Sequence, residues 1–383
     1  MRTILSIIDW YLPGYRAGGT LKAFANQVAQ LEGKFRFKII TRDTDYCETM
    51  PYTNVTSNSW NQIATNAEAY YISSGRLSVS EMTKLFKNTG FDTVYVHGIY
   101  SFYFSVLPVI LAKQKKTPRI VITAHGMLGE HALKVKSFRK KAFLKLAGML
   151  GLYKGVIFHA ANEAEAADIK KSAGKNARVI IAEELPMKID LEPWSSKNKT
   201  TGELTITSVA RISPEKNTLF ALEVLSRCNT GNITYDIFGP VYDEEYWTKC
   251  LAVIERMPAT VKVTYKGSVE GKLVLDTLRS YHLMFMPTTG ENFGHTILES
   301  FMAATPVLIS DKTPWQLPEQ KRSGWALPLD EKEKFSNIIN SLAQMNAEQY
   351  NHFSLGAHEK AVEFMADQSV LLQNIKLFED EKN

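Results

Sequence analysis

The chain has 383 residues, of which 45% are hydrophobic and 22% are charged, and its formal net charge is +5. This composition is that of a soluble globular protein long enough for two domains, and it excludes a low-complexity chain. No run of about eighteen uncharged apolar residues is present, which excludes a predicted transmembrane helix.

The N-terminus and the cysteines both bear on the cellular compartment. Asp9 interrupts the first apolar run and no small-residue cleavage site follows, so we expect no signal peptide. Cys47, Cys228 and Cys250 lack the spacing of a metal site, and their odd number argues against a disulfide framework. We therefore expect a cytoplasmic protein. The net charge is modest, and we expect no nucleic-acid partner.

The first half of the chain alternates short apolar segments with helical patterns. Segments that predict buried strands lie at 3–8, 37–41, 93–97, 119–124, 156–160 and 177–181. Helices are predicted at 20–31, with Thr20 as N-cap, and at 78–88 and 103–113. The polar segment 43–60 predicts a long loop. This alternation predicts a doubly wound parallel sheet.

Two glycines and two histidines follow predicted strands. Gly18 and Gly19 lie between a strand and a helix, where backbone N–H groups can approach a phosphate. A turn selected only for its dihedral angles explains the pair about as well. His97 and His125, each followed by glycine, end strands at the sheet edge where α/β proteins bind ligands. A core or loop histidine is the alternative for each.

A basic segment follows His125. Its cations, with no acid among them, are Lys134, Lys136, Arg139, Lys140, Lys141 and Lys145. The apolar residues between them predict an amphipathic helix; they are Leu133, Phe138, Phe143, Leu146 and Leu150. A solvated charged face is the simpler explanation. The other hypothesis is peripheral contact of residues 134–150 with anionic lipid or with a phosphate-linked acceptor.

Residues 183–202 are polar and rich in Ser, Thr and Lys, which predicts a domain boundary. We predict one domain at 1–190, a second at 203–365 and a terminal helical segment at 366–383. Strands of the second domain are predicted at 204–210, 235–239, 261–267, 283–287 and 306–310.

Arg211 and Lys216 flank the turn between the first strand of the second domain and the helix that follows. A phosphate at this turn would gain one bidentate fork and one point charge. The alternative is a solvent-facing turn in which Glu215 pairs with Lys216.

The segment 290–304 places Glu291 in a loop and Glu299, eight residues later, inside a predicted helix. Asn292, Phe293 and Gly294 precede that helix, and their backbone N–H groups could bind an anion. Glu291 would then lie beside the anion, and Glu299 could accept two hydroxyls of a ribose. The alternatives are a dipole-complementing cap for Glu291 and a solvated helix residue for Glu299.

This segment resembles the Glu-x7-Glu motif of the retaining glycosyltransferases called family 4, or group 1. The matching residues are Glu291, Asn292, Phe293, Gly294 and Glu299, followed by Ala303–Ala304–x–Pro306–Val307. The glycine loop, the His–Gly pair and the Arg…Lys turn also occur in the family's order. The resemblance implies a GT-B fold, in which two Rossmann-like domains face a cleft. It implies acceptor binding by the first domain, nucleotide-sugar binding by the second, and packing of 366–383 on the first.

The resemblance also implies roles for the candidate residues. In the first domain, Gly18 and Gly19 would face the donor diphosphate, His125 the transferred sugar, and His97 the acceptor side. In the second, cations would neutralise the diphosphate and carboxylates would bind hydroxyls. These residues are Arg211 and Lys216 for the diphosphate, Glu291 for the sugar and Glu299 for the ribose. Gly239 and Val269 would lie near the nucleobase.

The implied reaction transfers a hexose-type sugar, for example from a UDP-sugar, to an acceptor hydroxyl with retention at the anomeric carbon. Apart from the nucleotide-sugar co-substrate we expect no cofactor and no metal, because the cations Arg211 and Lys216 would stabilise the leaving diphosphate and the sequence offers no His cluster to hold a metal ion. Relatives assemble cell-surface polysaccharide or lipid-linked glycan, which would place the protein at the inner face of the membrane. A nucleotide-sugar epimerase of the same fold and a non-catalytic nucleotide-sugar binding protein are the alternatives. The family's Pro–Asn–Gly segment is replaced by Pro186–Met187–Lys188.

Overall fold

The computed structural model describes residues 1–117, 119–129 and 137–379. Within these residues the chain forms two compact units. The first comprises Met1–Lys188 together with the C-terminal segment that starts at Gln368, and the second comprises Ile189–Asp367. Each unit is built on a largely parallel sheet, so the prediction of two doubly wound α/β domains is confirmed.

The described part of the first unit has an eight-stranded sheet in the order β3-β4-β2-β1-β5-β6-β7-β8. Its strands are β1 (Arg2–Ile7), β2 (Phe35–Arg42), β3 (Trp60–Ala64), β4 (Ala67–Ile72), β5 (Thr93–His97), β6 (Arg119–Thr123), β7 (Ile157–Ala160) and β8 (Arg178–Ile181). Only β3 pairs antiparallel to its neighbour within this sheet. The strand order reverses between β1 and β5, so the loops after these two strands lie at a topological switch point.

The helices of the first unit are α1 (Gly19–Gln30), α2 (Val79–Asn88), α3 (Leu107–Gln114), α4 (Ser137–Met149) and α5 (Glu163–Ala173). A π-helical turn, Phe102–Val106, leads into α3. The sheet is buried on both faces, as β1 illustrates. Leu5 and Ile7 pack into one apolar cluster while Ile4 and Ile8 pack into another. A continuous apolar run therefore suits this parallel strand better than alternation.

The second unit has a parallel six-stranded sheet in the order β11-β10-β9-β12-β13-β14. Its strands are β9 (Glu203–Val209), β10 (Asn232–Phe238), β11 (Val261–Gly267), β12 (Leu283–Met286), β13 (Val307–Ser310) and β14 (Gly324–Leu327). Its helices are α6 (Thr218–Leu225), α7 (Glu244–Ile254), α8 (Val274–Arg279), α9 (His295–Met302), α10 (Lys332–Gln344) and α11 (Ala347–Ala366). Here the switch point lies between β9 and β12.

The C-terminal helix α12 (Gln368–Phe378) belongs to the first unit. Its last residue, Phe378, is fully buried, with its ring centroid 5.1 Å from that of Tyr95. Arg119 donates from Nε to the carbonyl oxygen of Leu377 at 2.6 Å. A cation at this position satisfies a carbonyl group that the end of a helix leaves without an intrahelical partner.

The main differences from the sequence predictions are three strands and the starts of two helices, and the helix predicted at 103–113 begins at Leu107 after the π-helical turn. β3, β4 and β14 were not predicted, and the expected loop 43–60 ends where β3 begins. β3 is an edge strand with no fully buried residue, so it lacks the apolar pattern that predicts strands. Helix α1 begins at Gly19 with Gly18 as N-cap rather than Thr20. Gly18 has a φ of 77°, a left-handed conformation that favours glycine.

The described helices include none with both the length and the apolar character needed to cross a membrane. Of the predicted basic segment, Leu133, Lys134 and Lys136 lie outside the described residues.

A buried histidine links three strands of the first sheet. His159 on β7 bonds through Nδ1 to the Tyr95 hydroxyl at 2.7 Å and through Nε2 to the Ala182 carbonyl at 2.8 Å. Because a carbonyl only accepts, Nε2 carries the proton and Nδ1 accepts from Tyr95. Burial lowers the pKa of His159 below its ordinary value of 6.5, so the ring is neutral in the folded chain.

This neutral histidine predicts that acid destabilises the first unit. Below about pH 6.5 the unfolded chain binds a proton that folded His159 does not, so the free energy of unfolding falls as the pH is lowered. Urea unfolding at about pH 7 and about pH 5 should show a smaller fall in His159→Gln than in the parent. His352→Gln, which removes an exposed histidine, should behave as the parent; equal pH dependence in all three proteins would contradict the prediction.

Candidate functional site

The candidate residues of the second unit converge at its switch point. Arg211 and Lys216 lie in the loop that follows β9, and Glu291 lies in the loop that follows β12. These two strands are neighbours in the sheet. The carboxyl ends of adjacent parallel strands at a switch point form the crevice in which α/β proteins bind ligands.

The loop after β9 closes as a turn that positions Lys216. Asn217 donates its N–H to the Ser213 carbonyl at 3.0 Å, and Lys216 donates its N–H to the Ser213 hydroxyl at 3.3 Å. Asn217 has a φ of 61°, a left-handed conformation that asparagine tolerates, and it is the N-cap of α6. The Ser–Pro–Glu–Lys–Asn sequence thus places the lysine immediately before the N-cap of the helix.

Lys216 and Glu291 form an ion pair between Nζ and Oε1, with side chains only 15% and 12% exposed. Backbone bonds join the same two loops. Thr289 donates its N–H to the Glu215 carbonyl at 2.8 Å, and the Thr288 hydroxyl donates to that carbonyl at 3.0 Å. The sequence alternative of a Glu215–Lys216 pair is therefore not what the structure contains.

Arg211 pairs instead with Glu215, with 3.5 Å between Nη2 and Oε2. Both side chains are well exposed, so this pair contributes little to stability and its partners can rearrange at low cost. Lys216 and Arg211 together place two cations in one loop, each opposite a carboxylate. A phosphate in the same loop would compete with those carboxylates for the cations.

The loop 290–294 leads into α9, with Gly294 as N-cap in a left-handed conformation of φ 86°. Glu291 donates its N–H to the Lys312 carbonyl at 3.0 Å, and Trp315 donates from Nε1 to the Phe293 carbonyl at 2.6 Å. The N–H groups of Phe293 and Gly294 donate no hydrogen bond to any residue that the structure describes. Two backbone donors thus remain at the positive end of a helix.

Neither Trp315 nor Lys312 was singled out from the sequence, because their segment reads as an irregular loop. Trp315 lies sixteen residues beyond Glu299, and no pattern in the sequence marks it as part of the site. The Trp315 ring is buried against Phe293, Phe301 and Phe364, with centroids 5.3–5.4 Å away. The backbone of the loop 290–294 is therefore held in place by the loop that carries Lys312 and Trp315.

Glu299 lies inside α9 and is 3% exposed, which excludes the alternative of a solvated helix residue. Burying a carboxylate is costly unless other groups compensate it, so solvation of the helix surface does not explain a glutamate at this position. Asn292 lies half-buried in the loop itself.

Gly239 and Val269 follow β10 and β11 on the other side of β9. Gly239 has a φ of 150°, and a Cβ there would lie 1.8 Å from the Ala210 carbonyl oxygen. Its N–H donates to the Gly267 carbonyl at 2.9 Å. Glycine is therefore required here by close packing of three strand ends. Val269 is half-buried and lies two residues past β11. Because β11 is the edge strand of this sheet, Val269 does not follow either of the strands, β9 and β12, that border the switch point.

In the first unit, Gly18 and Gly19 lie in the loop after β1. The buried Asp45 carboxylate accepts from the N–H groups of Tyr15 at 3.0 Å and Arg16 at 3.3 Å. Two amides of this loop are thus bound by a protein carboxylate, and Gly18 donates its N–H to the Tyr15 carbonyl at 3.4 Å. The loop is held in shape by Asp45, a residue that sequence reasoning missed.

His97 and His125 lie together at the ends of β5 and β6. His97 Nδ1 is 3.0 Å from His125 Nε2, and the rings are stacked with an interplanar angle of 14°. His97 is 2% exposed, and burial, followed by the nearby His125, lowers its pKa well below 6.5. His125 is half-buried and has a φ of 48°, which is uncommon for a residue with a side chain.

Glu165 supports the loop that carries His125. Its carboxylate accepts from the N–H of Gly126 at 2.7 Å and from the N–H of Ala161 at 2.8 Å. It is buried at the start of α5, where a carboxylate also complements the helix dipole. Among the described residues no group of three His, Cys, Asp or Glu side chains is arranged to hold a metal ion.

Comparison with protein families matches residues 192–359 to the family described as glycosyl transferases group 1. Comparison with curated proteins found no match. Among solved structures, the chain is similar to sucrose-phosphate synthase from Thermosynechococcus elongatus, with a TM-score of 0.71, 14% identity and coverage of 99% of this chain and 98% of that one.

The chain is also similar to Anabaena HepE in complex with UDP-glucose, with a TM-score of 0.68, 15% identity and coverage of 98% of both chains. A further similar structure is WaaG, a glycosyltransferase involved in lipopolysaccharide biosynthesis, with a TM-score of 0.60, 10% identity and coverage of 98% of both chains. At these identities the likeness shows the fold, which is the GT-B class that the sequence predicted.

The packing of Gly239 gives a direct test of the strand ends around the site. Gly239→Ala should lower the free energy of unfolding by roughly 2 kcal/mol or more, because the added Cβ meets a backbone oxygen and the φ is strained. Gly271→Ala is the control, since nothing lies within 4 Å of a Cβ at that position. Urea unfolding of both variants measures the difference, and equal stability would contradict the packing argument.

Proposed function

We propose that the chain, whose residues 192–359 match the glycosyl transferases of group 1, moves a sugar from a nucleoside-diphosphate sugar to an acceptor hydroxyl with retention. The observation that carries the proposal is the position of the Lys216–Glu291 pair. The pair lies at a switch point beside the N–H groups of Phe293 and Gly294 that donate to no described residue.

These groups suit a departing diphosphate. As the bond between the anomeric carbon and the phosphate oxygen breaks, negative charge collects on that oxygen. Once the bound phosphate has replaced their carboxylate partners, Lys216 and Arg211 would stabilise this charge together with the two backbone N–H groups. The acceptor oxygen attacks the anomeric carbon from the face that the phosphate leaves, and its proton passes to the departing phosphate. One C–O bond is exchanged for another, and the configuration is retained.

In this scheme Glu291 interacts first with Lys216 and then with the sugar of the donor. In the structure it compensates Lys216, and when a phosphate binds Lys216, the carboxylate becomes available to the hydroxyls of the sugar. The buried Glu299 would accept the two ribose hydroxyls. Gly239 and Val269 remain the proposed contacts of the nucleobase, and Gly18 and Gly19 those of the diphosphate in the first unit.

His125 is proposed to contact the transferred sugar. His97 was expected on the acceptor side, but its ring is 2% exposed and bonded to His125. We therefore propose that His97 holds the His125 ring rather than touching the acceptor.

We propose a metal-independent reaction, because Arg211 and Lys216 supply the positive charge that a divalent ion supplies elsewhere. For the acceptor we propose a cell-surface polysaccharide or lipid-linked glycan, met by a peripheral protein at the inner face of the membrane. Support comes from the likeness to WaaG, whose name states a role in lipopolysaccharide biosynthesis.

Product analysis tests the reaction. UDP-, GDP- and ADP-sugars incubated with candidate acceptors should give a product with the donor's anomeric configuration, read by NMR, and EDTA should not lower the rate. Glu291→Gln should reduce kcat by about a hundredfold, and Lys216→Gln should weaken nucleotide binding by about tenfold or more.

The matched control is Lys332→Gln, which removes the cation of a separate ion pair with Glu223 in the same unit. It should leave turnover and nucleotide binding unchanged. Conversion of the donor alone to an epimer would favour the epimerase, and full activity in both Glu291→Gln and Lys216→Gln would reject the site.

A further inference from the structure

Helix α4 carries large apolar side chains that are exposed in the part of the chain that the structure describes. Their exposed fractions are 86% for Phe138, 54% for Leu146, 76% for Met149 and, just after the helix, 75% for Leu150. The sequence predicted that all apolar residues of this segment share one face. In the structure Phe143 instead packs inward with Leu144 against the core.

The inward side anchors the helix. Ala147 is buried, Phe143 packs on Tyr100 with ring centroids 5.6 Å apart, and the Lys140 ammonium lies 5.4 Å from the Tyr100 ring centroid. The helix is thus fixed to the unit by one side, and packing against the described residues of the unit does not account for the apolar groups on the other side. Exposed apolar groups that cluster in this way mark interaction surfaces.

The outer face of α4 is defined by Phe138, Ala142, Leu146 and Met149. At about 100° of rotation per residue, Phe138, Ala142 and Met149 fall within one narrow stripe. Lys141 and Lys145 flank that stripe on one side and Arg139 flanks it on the other. These three cations form no ion pair with a residue that the structure describes.

We propose that the outer face of α4 docks on the surface of a membrane that contains anionic lipid. The apolar stripe would enter the boundary between headgroups and acyl chains, where amphipathic interfacial helices lie. The flanking cations would then be at the level of the headgroups and attracted by their charge. Apolar side chains between cations fit a lipid surface better than a purely ionic ligand, which would leave Phe138 and Met149 without a role.

Flotation with vesicles of phosphatidylcholine and phosphatidylglycerol in equal amounts tests the docking. The parent should bind, and Lys141→Glu/Lys145→Glu should bind at least about thirtyfold more weakly, because each cation strengthens binding about fivefold. Phe138→Ser/Met149→Ser should also weaken binding although the charge is unchanged. Lys140 is left intact because its contact with Tyr100 makes it structural.

The matched control is Lys84→Glu/Lys87→Glu, which makes the same change of charge on exposed lysines of α2 in the same unit. A parent that does not bind would overturn the docking, and so would a control that loses as much binding as the α4 variant. The docking is independent of the proposed reaction, because vesicle binding is measured without donor or acceptor.

A second inference concerns Trp315 and rests on the proposed function. In a trans peptide unit the C=O and the N–H point in opposite directions. The Trp315 indole N–H binds the Phe293 carbonyl at 2.6 Å, so the Gly294 N–H of the same peptide unit is directed away from the buried indole. A Cβ on Gly294 would lie 2.8 Å from Ile297 Cδ1 and its φ is 86°, so this position favours glycine.

We infer that Trp315 is a positioning residue, which fixes the Gly294 N–H as a donor to the diphosphate. The experiment first finds which of UDP, GDP and ADP the parent binds most tightly by calorimetry. Trp315→Phe keeps an aromatic ring but loses the N–H, so the Kd for that nucleotide and the donor KM should both rise about tenfold. The kcat should fall as well, because the same N–H also stabilises the charge that collects on the departing phosphate oxygen in the transition state.

Trp325→Phe is the control, because Trp325 stacks on Phe353 at 4.7 Å in the same unit and should tolerate the change. Unchanged Kd in Trp315→Phe, or an equal rise in Trp325→Phe, would overturn the inference while leaving the proposed function in place. A parent that binds none of the nucleotides would overturn both.

Discussion

The ion pair between Lys216 and Glu291 is the interaction on which the second unit's site depends. It joins the loops that leave β9 and β12, and both charges are largely withdrawn from water. A charge in that position is tolerated only with a compensating partner, so the loops cannot separate without leaving one charge uncompensated. An anionic ligand could take the place of the Glu291 carboxylate as the partner of Lys216, so the lysine would stay compensated. The constraint that shapes the loops therefore also gives the site its affinity for an anion.

The two units differ in whether the backbone N–H groups of their candidate-site loops are bound by protein side chains. In the first unit, Asp45 and Glu165 accept hydrogen bonds from the N–H groups of the loops after β1, β6 and β7. In the second, the loop before α9 is held through a carbonyl group and keeps the N–H groups of Phe293 and Gly294 available among the described residues. Carboxylates brace the first set of loops, and an indole braces the second. This difference is consistent with anion binding by the second unit.

Much of the architecture could be predicted from the sequence, because strands that are buried on both faces consist of unbroken runs of apolar residues. Edge strands such as β3 have no such signal, since one side of their backbone and much of their side-chain surface meet solvent. The motif residues Glu291 and Glu299 could be recognised by spacing. Trp315 could not, because its role arises from a tertiary contact with Phe293 across 22 residues of sequence. The burial of His97 could not be predicted either, because the sequence around a histidine at a strand end does not show whether its side chain faces solvent or the core.

After the second unit, the chain returns to the first unit as helix α12. Phe378 lies against Tyr95 and Phe35, and Arg119 binds the backbone of Lys376 and Leu377. During synthesis the core beneath β1, β2 and β5 therefore stays uncovered on this side until residues 368–378 have been translated, although the strands themselves are made much earlier. The nascent first unit must wait for the whole second unit to be translated before its apolar surface is sealed.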